Sequence, residues 1–73
     1  MTTSSDAAAR LRALVLHLQG LLDRNAIDPI LGPAFLARAE ECLRQLQDGE
    51  IPAGQAAGET MRLEAAIQDW SAR

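Results

Sequence analysis

The chain is expected to be all-α, a small three-helix bundle in which the second and third helices form an antiparallel hairpin. Three observations carry this. Ala and Leu dominate a composition that is 48% hydrophobic, with one Phe, one Trp and no Tyr, and both are strong helix formers. Leu11, Leu14, Val15, Leu18, Leu21 and Leu22 recur at spacings of three and four. The helical stretches are separated by turn chemistry, Asp23-Arg24-Asn25 and Asp48-Gly49-Glu50, and Asn or Gly is favoured just beyond a helix end.

The first helix is placed at about residues 6–23. Its six large apolar side chains fall within a sector of roughly 120° at the helical period. Ser4, Ser5 and Asp6 are all candidate caps, and Asp6 also suits the positive end of the helix dipole. Residues 1–5 are expected to be a disordered N-terminus. Arg12, Gln19 and Asp23 lie outside the apolar sector, and so does Leu16. Leu16 is either a single exposed leucine, as is common on surfaces, or a contact point for a partner.

Asn25 is the candidate left-handed residue after this helix. Asp28-Pro29 has the form of a cap followed by Pro, which suits one short turn. Gly32-Pro33 should then interrupt, because Pro removes a donor and disfavours helix in the residue before it. Ile30 and Leu31 are expected to plug the end of the core.

The second helix is placed at about residues 34–48. Phe35, Leu36, Ala39, Cys42, Leu43 and Leu46 form its apolar face, and Arg38, Glu40, Glu41, Arg44 and Gln45 its wet one. Glu40 and Arg44 have the favourable i,i+4 order for an ion pair. Gly49 is the natural residue to end the helix. The third helix is placed at about residues 52–70, opened by Ile51-Pro52. Ala53, Ala56, Thr60, Leu63, Ile67 and Trp70 make a seam of coiled-coil spacing. The other side carries Gly54, Gly58, Met61 and Ala65. A glycine inside a helix costs about 1 kcal/mol relative to Ala, so these two mark either a close approach by another backbone or a weak first turn. The short connection between the second and third helices makes them antiparallel neighbours, with the first helix lying across both.

Composition narrows function more than it names it. Seventy-three residues make one domain, near the lower limit at which a single core suffices, so a homodimer or a bound partner would add burial. The formal charge is −3, which disfavours a nucleic-acid partner, since phosphate binding relies on an excess of basic side chains. All basic residues are Arg, and with the abundant Ala this suggests a bacterial source of high GC content. No apolar run approaches the ~20 residues that span a bilayer. The polar N-terminus lacks the charged and apolar regions of a secretory signal. A cytoplasmic protein without a membrane partner is expected.

The sequence offers no catalytic constellation. His17 is the sole histidine and has no companion at metal-ligand spacing. Cys42 cannot form an intramolecular disulfide, and its place on an apolar face suits a structural thiol. Glu40, Glu41, Asp48 and Glu50 cluster near one turn, either as a solvated face or as a docking surface for a basic partner. The isolated glycines match no phosphate-binding loop. An acyl carrier protein would attach its cofactor to a Ser in an Asp-Ser-Leu motif, but Ser4, Ser5 and Ser71 are the only serines and none precedes Leu. No enzyme, metal or cofactor is expected.

From Glu41 the pattern runs Glu41-Cys42-Leu43-Arg44-Gln45-Leu46, then Gly49, Pro52 and Leu63-Glu64-Ala65-Ala66-Ile67. Residues 41–67 resemble the helical hairpin of the small needle-subunit co-chaperones of bacterial type III secretion. The resemblance implies two antiparallel helices joined by a Gly- and Pro-containing turn. It also implies a non-enzymatic adaptor that pairs with a helical-repeat chaperone and keeps the needle subunit soluble. The added helix at 11–22 and the connector at 28–33 depart from a bare two-helix hairpin. Independently of that likeness, the expected mode is a helix face docked on another, helical protein. The candidate contact residues are Leu16, Gly54, Gly58, Met61 and Ala65. The other reading is an antitoxin or immunity-type inhibitor whose acidic surface covers a basic site.

Overall fold

A computed structural model describes the backbone of residues 3–71. It contains three helices, α1 (Ser4–Asp23), α2 (Leu31–Gln47) and α3 (Ala53–Ser71), and no strand among the described residues. The all-α, three-helix expectation holds. α1 ends at Asp23 as expected, the other helix ends differ by one to three residues, and the starts of α1 and α2 have local causes.

α1 begins earlier than expected. Thr3, not Ser4, Ser5 or Asp6, is the capping residue, and its Oγ1 accepts from the Asp6 backbone N–H at 3.1 Å. That bond satisfies one of the donors left open at a helix start. Asp6 remains in the first turn, where its charge suits the dipole. Of the N-terminal stretch expected to be disordered, Met1 and Thr2 lie outside the described residues, whereas Ser4 and Ser5 are helical.

Both interhelical turns start alike. Asn25 has φ 54° and Gly49 φ 76°, the left-handed conformation expected at these positions. The Asn25 N–H reaches Leu22 O at 3.1 Å, and the Ala26 N–H reaches Leu21 O at 2.8 Å. After α2, Gly49 donates to Leu46 O at 3.2 Å and Glu50 to Gln45 O at 2.8 Å. Each pair of bonds is a Schellman ending, which turns the chain sharply while satisfying the last carbonyls.

The connector 26–30 corrects two expectations. Gly32-Pro33 does not interrupt the chain; it lies inside the first turn of α2. A helix start has unbonded N–H groups in any case, so the missing donor of Pro33 loses no intrahelical bond there. Gly32 has no Cβ for the Pro ring to crowd, which lifts much of the usual restriction on the preceding residue. Ile30 and Leu31 do not plug the core; they are 79% and 44% exposed. The Asp28 carboxylate explains this. Its Oδ1 accepts from the Ile30 N–H at 2.7 Å and the Leu31 N–H at 2.9 Å, which fixes the approach to α2 with these two side chains turned outward. Ile27 is the plug, buried against α1 and α2.

The core has two clusters. Ala7, Ala8 and Leu11 of α1 join Cys42 and Leu46 of α2 and Ala56 of α3. Leu14 and Leu18 join Ile27, Ala39, Leu63 and Ile67, with Phe35, Leu36 and Trp70 packed partly buried around them. α1 and α3 therefore advance through the core in the same direction. The expected apolar faces of all three helices are the buried ones. Among the described residues Thr60 is buried and polar, and its hydroxyl donates to Ala56 O at 2.8 Å, so that donor is not stranded. Leu11 and Leu18 are fully buried, each contributing about 1.5–3 kcal/mol by area.

One close approach requires a glycine. A Cβ on Gly32 would lie 2.7 Å from Ile27 Cγ2 and 2.8 Å from Leu22 Cδ2. Gly32→Val should destabilise the fold by about 1–3 kcal/mol, as overpacking of a tight site does. Urea unfolding followed by circular dichroism measures this, and an unchanged midpoint would show the contact to be slack.

The two backbone hydrogen bonds to Asp28 also make stability depend on pH. Hydrogen bonds from Leu31 and then Ile30 hold its carboxyl below the ordinary value. A depressed carboxyl contributes stability that is present above the unfolded-state pKa and lost as pH falls through the folded one. Melting temperature should therefore decline on the acid side, and Asp28→Ala should flatten that decline relative to wild type.

Candidate functional site

An open groove of about 430 Å³ runs between α1 and α3. α1 supplies Arg10, Ala13, Leu14 and His17, and α3 supplies Glu64, Ile67 and Gln68. Residues seven apart on α1 and three or four apart on α3 share a helix face, so each helix presents one wall. Leu14 and Ile67 form the apolar floor because both also belong to the core. The rim is polar. Arg10 Nη2 donates to Glu64 Oε1 at 2.6 Å and Arg10 Nε to Glu64 Oε2 at 3.4 Å, a two-pronged ion pair spanning the groove. Its side chains are 54% and 38% exposed, so solvent screens it and it adds little to stability.

This lining includes no Ser, Thr or Cys. Its carboxylate is already engaged by a guanidinium. An apolar floor between polar rims suits the side chains of a docked helix better than a reacting group. Among the described residues, no group of three or more His, Cys, Asp or Glu side chains is placed to hold a metal. Nor is any described helix long and apolar enough to cross a membrane.

None of the candidate contact residues lines this groove. Met61 precedes Glu64 by three residues and Gln68 by seven, which puts it on the groove side of α3. Gly54 and Ala65 turn farther out. Met61 is 58% exposed, and Gly54 and Ala65 are also exposed. Gly54 and Gly58 lie within α3, and a Cβ on either would meet nothing within 4 Å. No other element among the described residues comes that close to them. Leu16 is 68% exposed on α1, and adjacent helix positions differ by about 100°, so it points away from the wall that His17 occupies.

The acidic cluster is organised by one cation. Arg44 pairs with Glu41 at 2.6 Å, Asp48 at 2.8 Å and Glu50 at 3.1 Å. The expected partner, Glu40, is displaced because these three reach the guanidinium from the helix, its end and the following turn together. The hydrogen bond from Arg44 holds the Glu41 carboxyl below its usual value, and the three carboxylates push Arg44 up. A second network joins helices: Glu59 of α3 pairs with Arg38 of α2 at 3.2 Å and accepts from Arg62 at 3.3 Å.

Sequence reasoning missed Arg10, Glu64 and Gln68. Arg10 and Glu64 are 54 positions apart, and no local spacing links such residues. His17 and Ala13 share one side of α1 by their spacing of four, but nothing local showed that α3 would stand opposite.

Cys42 is buried, as its position on the apolar face implied. Burial pushes its thiol pKa up, and the Glu59 charge does so further, against Arg38. The thiolate is the reactive form, so the native protein should resist alkylation by iodoacetamide and label rapidly only in denaturant. Rapid labelling of the folded protein would contradict the packing around α2.

No protein-family model matches the chain, and neither a curated protein nor a solved structure is significantly similar to it.

Proposed function

We propose that this protein is a non-enzymatic helical binding module that acts as an adaptor or co-chaperone for another, helical protein. The observation that carries this reading is the exposed strip of α3 beside the groove. It exposes Met61 among small residues, with open space beyond Gly54 and Gly58. A long flexible apolar side chain flanked by Gly and Ala lets a partner helix come close and still find a contact to bury. In this reading α2 and α3 form an antiparallel hairpin. The five-residue connection 48–52 and the pairing of opposite helix halves in the two core clusters support it. That hairpin is the part of the chain that resembles the type III needle co-chaperones, and a bacterial cytoplasmic location goes with the resemblance. Leu16 is then a second contact on α1.

The alternative, an antitoxin or immunity-type inhibitor, draws on a different surface. Glu40, Glu41, Asp48 and Glu50 are all exposed, and Arg44 offsets only part of their charge. A basic cognate protein would meet that surface and not Met61.

The test compares wild type with Met61→Arg as bait in extracts of the native host. Wild type is expected to retain a stoichiometric partner that the variant loses, with helicity unchanged by circular dichroism. Retention of the same partner by both would remove the α3 face. Loss on Glu41→Lys instead would favour the inhibitor reading.

A further inference from the structure

We infer that the groove between α1 and α3 is where two copies of this chain pair, with the two-fold axis running along the groove. The groove's own charges select this occupant. One wall carries Arg10 and His17, and the other carries Glu64 and Gln68. α1 and α3 run the same way, so Arg10 and Glu64 share one level, bonded at 2.6 Å, with His17 and Gln68 beyond them. A half-turn about an axis along the groove keeps the helix direction and exchanges the walls. Arg10 then faces the partner's Glu64, Glu64 faces the partner's Arg10, and His17 faces the partner's Gln68. The four charges alternate in sign. A two-fold axis across the helices would set Arg10 against the partner's His17 and leave Glu64 opposite an uncharged amide. Electrostatic complementarity fixes register in this way, and a closed two-fold contact must be complementary to itself. The ion pair is exposed and weakly held, so sharing it between copies sacrifices little. Ala13 on the α1 wall lets the second copy approach the apolar floor. A chain of 73 residues also gains more from such burial than a larger domain would.

This inference does not rest on the proposed function, and it is tested on the purified protein alone, so either can fail without the other. Light scattering after gel filtration, over a wide dilution series, is expected to give twice the chain mass of 7.9 kDa at high concentration. Arg10→Glu and Glu64→Arg should each weaken pairing about tenfold or more, because each sets like charges face to face. Mixing the two variants should restore pairing, since every substituted charge then meets its opposite across the contact. A mixture no better than its components, or wild type monomeric throughout, overturns the inference. The double variant Arg10→Glu/Glu64→Arg keeps the intrachain pair, so it remains informative if a single variant unfolds. It should pair with itself and not exchange with wild type, and free exchange would equally overturn the two-fold arrangement.

Discussion

The structure depends on burying one apolar stripe of α1. Leu11, Leu14 and Leu18 are the residues that both core clusters share out, and Leu11 and Leu18 retain no exposed surface. α2 and α3 add Leu46, Leu63 and Ile67 to the core, but these keep 5–8% of their surface. Their most buried positions include Ala39, Cys42, Ala56 and Thr60. Large side chains from one helix thus enter a seat of small ones from the other two. Small residues allow the helix axes to come close, and the α1 leucines fill the space. This division explains how so few aromatic residues suffice. Phe35 and Trp70 stand at the margin of the second cluster, where they cover the core without forming its centre.

Helix periodicity fixes which faces are inside, but the turns decide how the faces meet. Two left-handed residues, Asn25 and Gly49, each close a Schellman ending. Between the first of these and α2, Asp28 holds two backbone donors. The outcome is a short, hydrogen-bonded connector that sends Ile27 inward and Ile30 outward. A shift of one residue in that register would exchange apolar burial for exposure. Gly32 belongs to the same device, because a Cβ there would crowd the Ile27 and Leu22 methyls and force them to shift. The ion pairs lie outside this scheme. Arg44 gathers three carboxylates at the end of α2, and these exposed bonds order the surface of the turn more than they stabilise the core.

The fold was legible in the sequence wherever a local rule had no competitor. The apolar stripe of α1, the seam of α3 and the left-handed Asn25 and Gly49 are all of this kind. The start of α2 was misread because two rules about Pro conflict there. Pro ends a helix from its interior but is tolerated in its first turn, and where α2 starts decides which applies. Arg44 was assigned to Glu40 by spacing, yet Glu50 lies beyond the helix where a helical spacing rule has no reach. The groove was the least legible feature. Each of its walls can be read from its own helix, but their juxtaposition depends on how all three helices pack. The exposed faces, by contrast, are simply what the buried periodicities leave over, and Leu16 and Met61 were visible for that reason.

Geometry also relates the two binding surfaces to each other. On α3, Glu64 and Gln68 face the groove, whereas Gly54, Gly58 and Ala65 lie about a quarter-turn farther round, with Met61 between. A second copy seated along the groove would cover the Arg10–Glu64 pair and leave the outermost strip of α3 open. Two-fold symmetry then places those strips on opposite flanks of the pair. A dimer of this kind presents two equivalent helical surfaces, each bordered by the other copy's α1. Leu16, which projects away from the groove wall on that same α1, would stand near the border and not within the contact between copies. Self-pairing and partner binding therefore make different demands on the same helices. The first uses matched charges across a shallow apolar floor. The second uses one mobile methionine among residues too small to obstruct a neighbour.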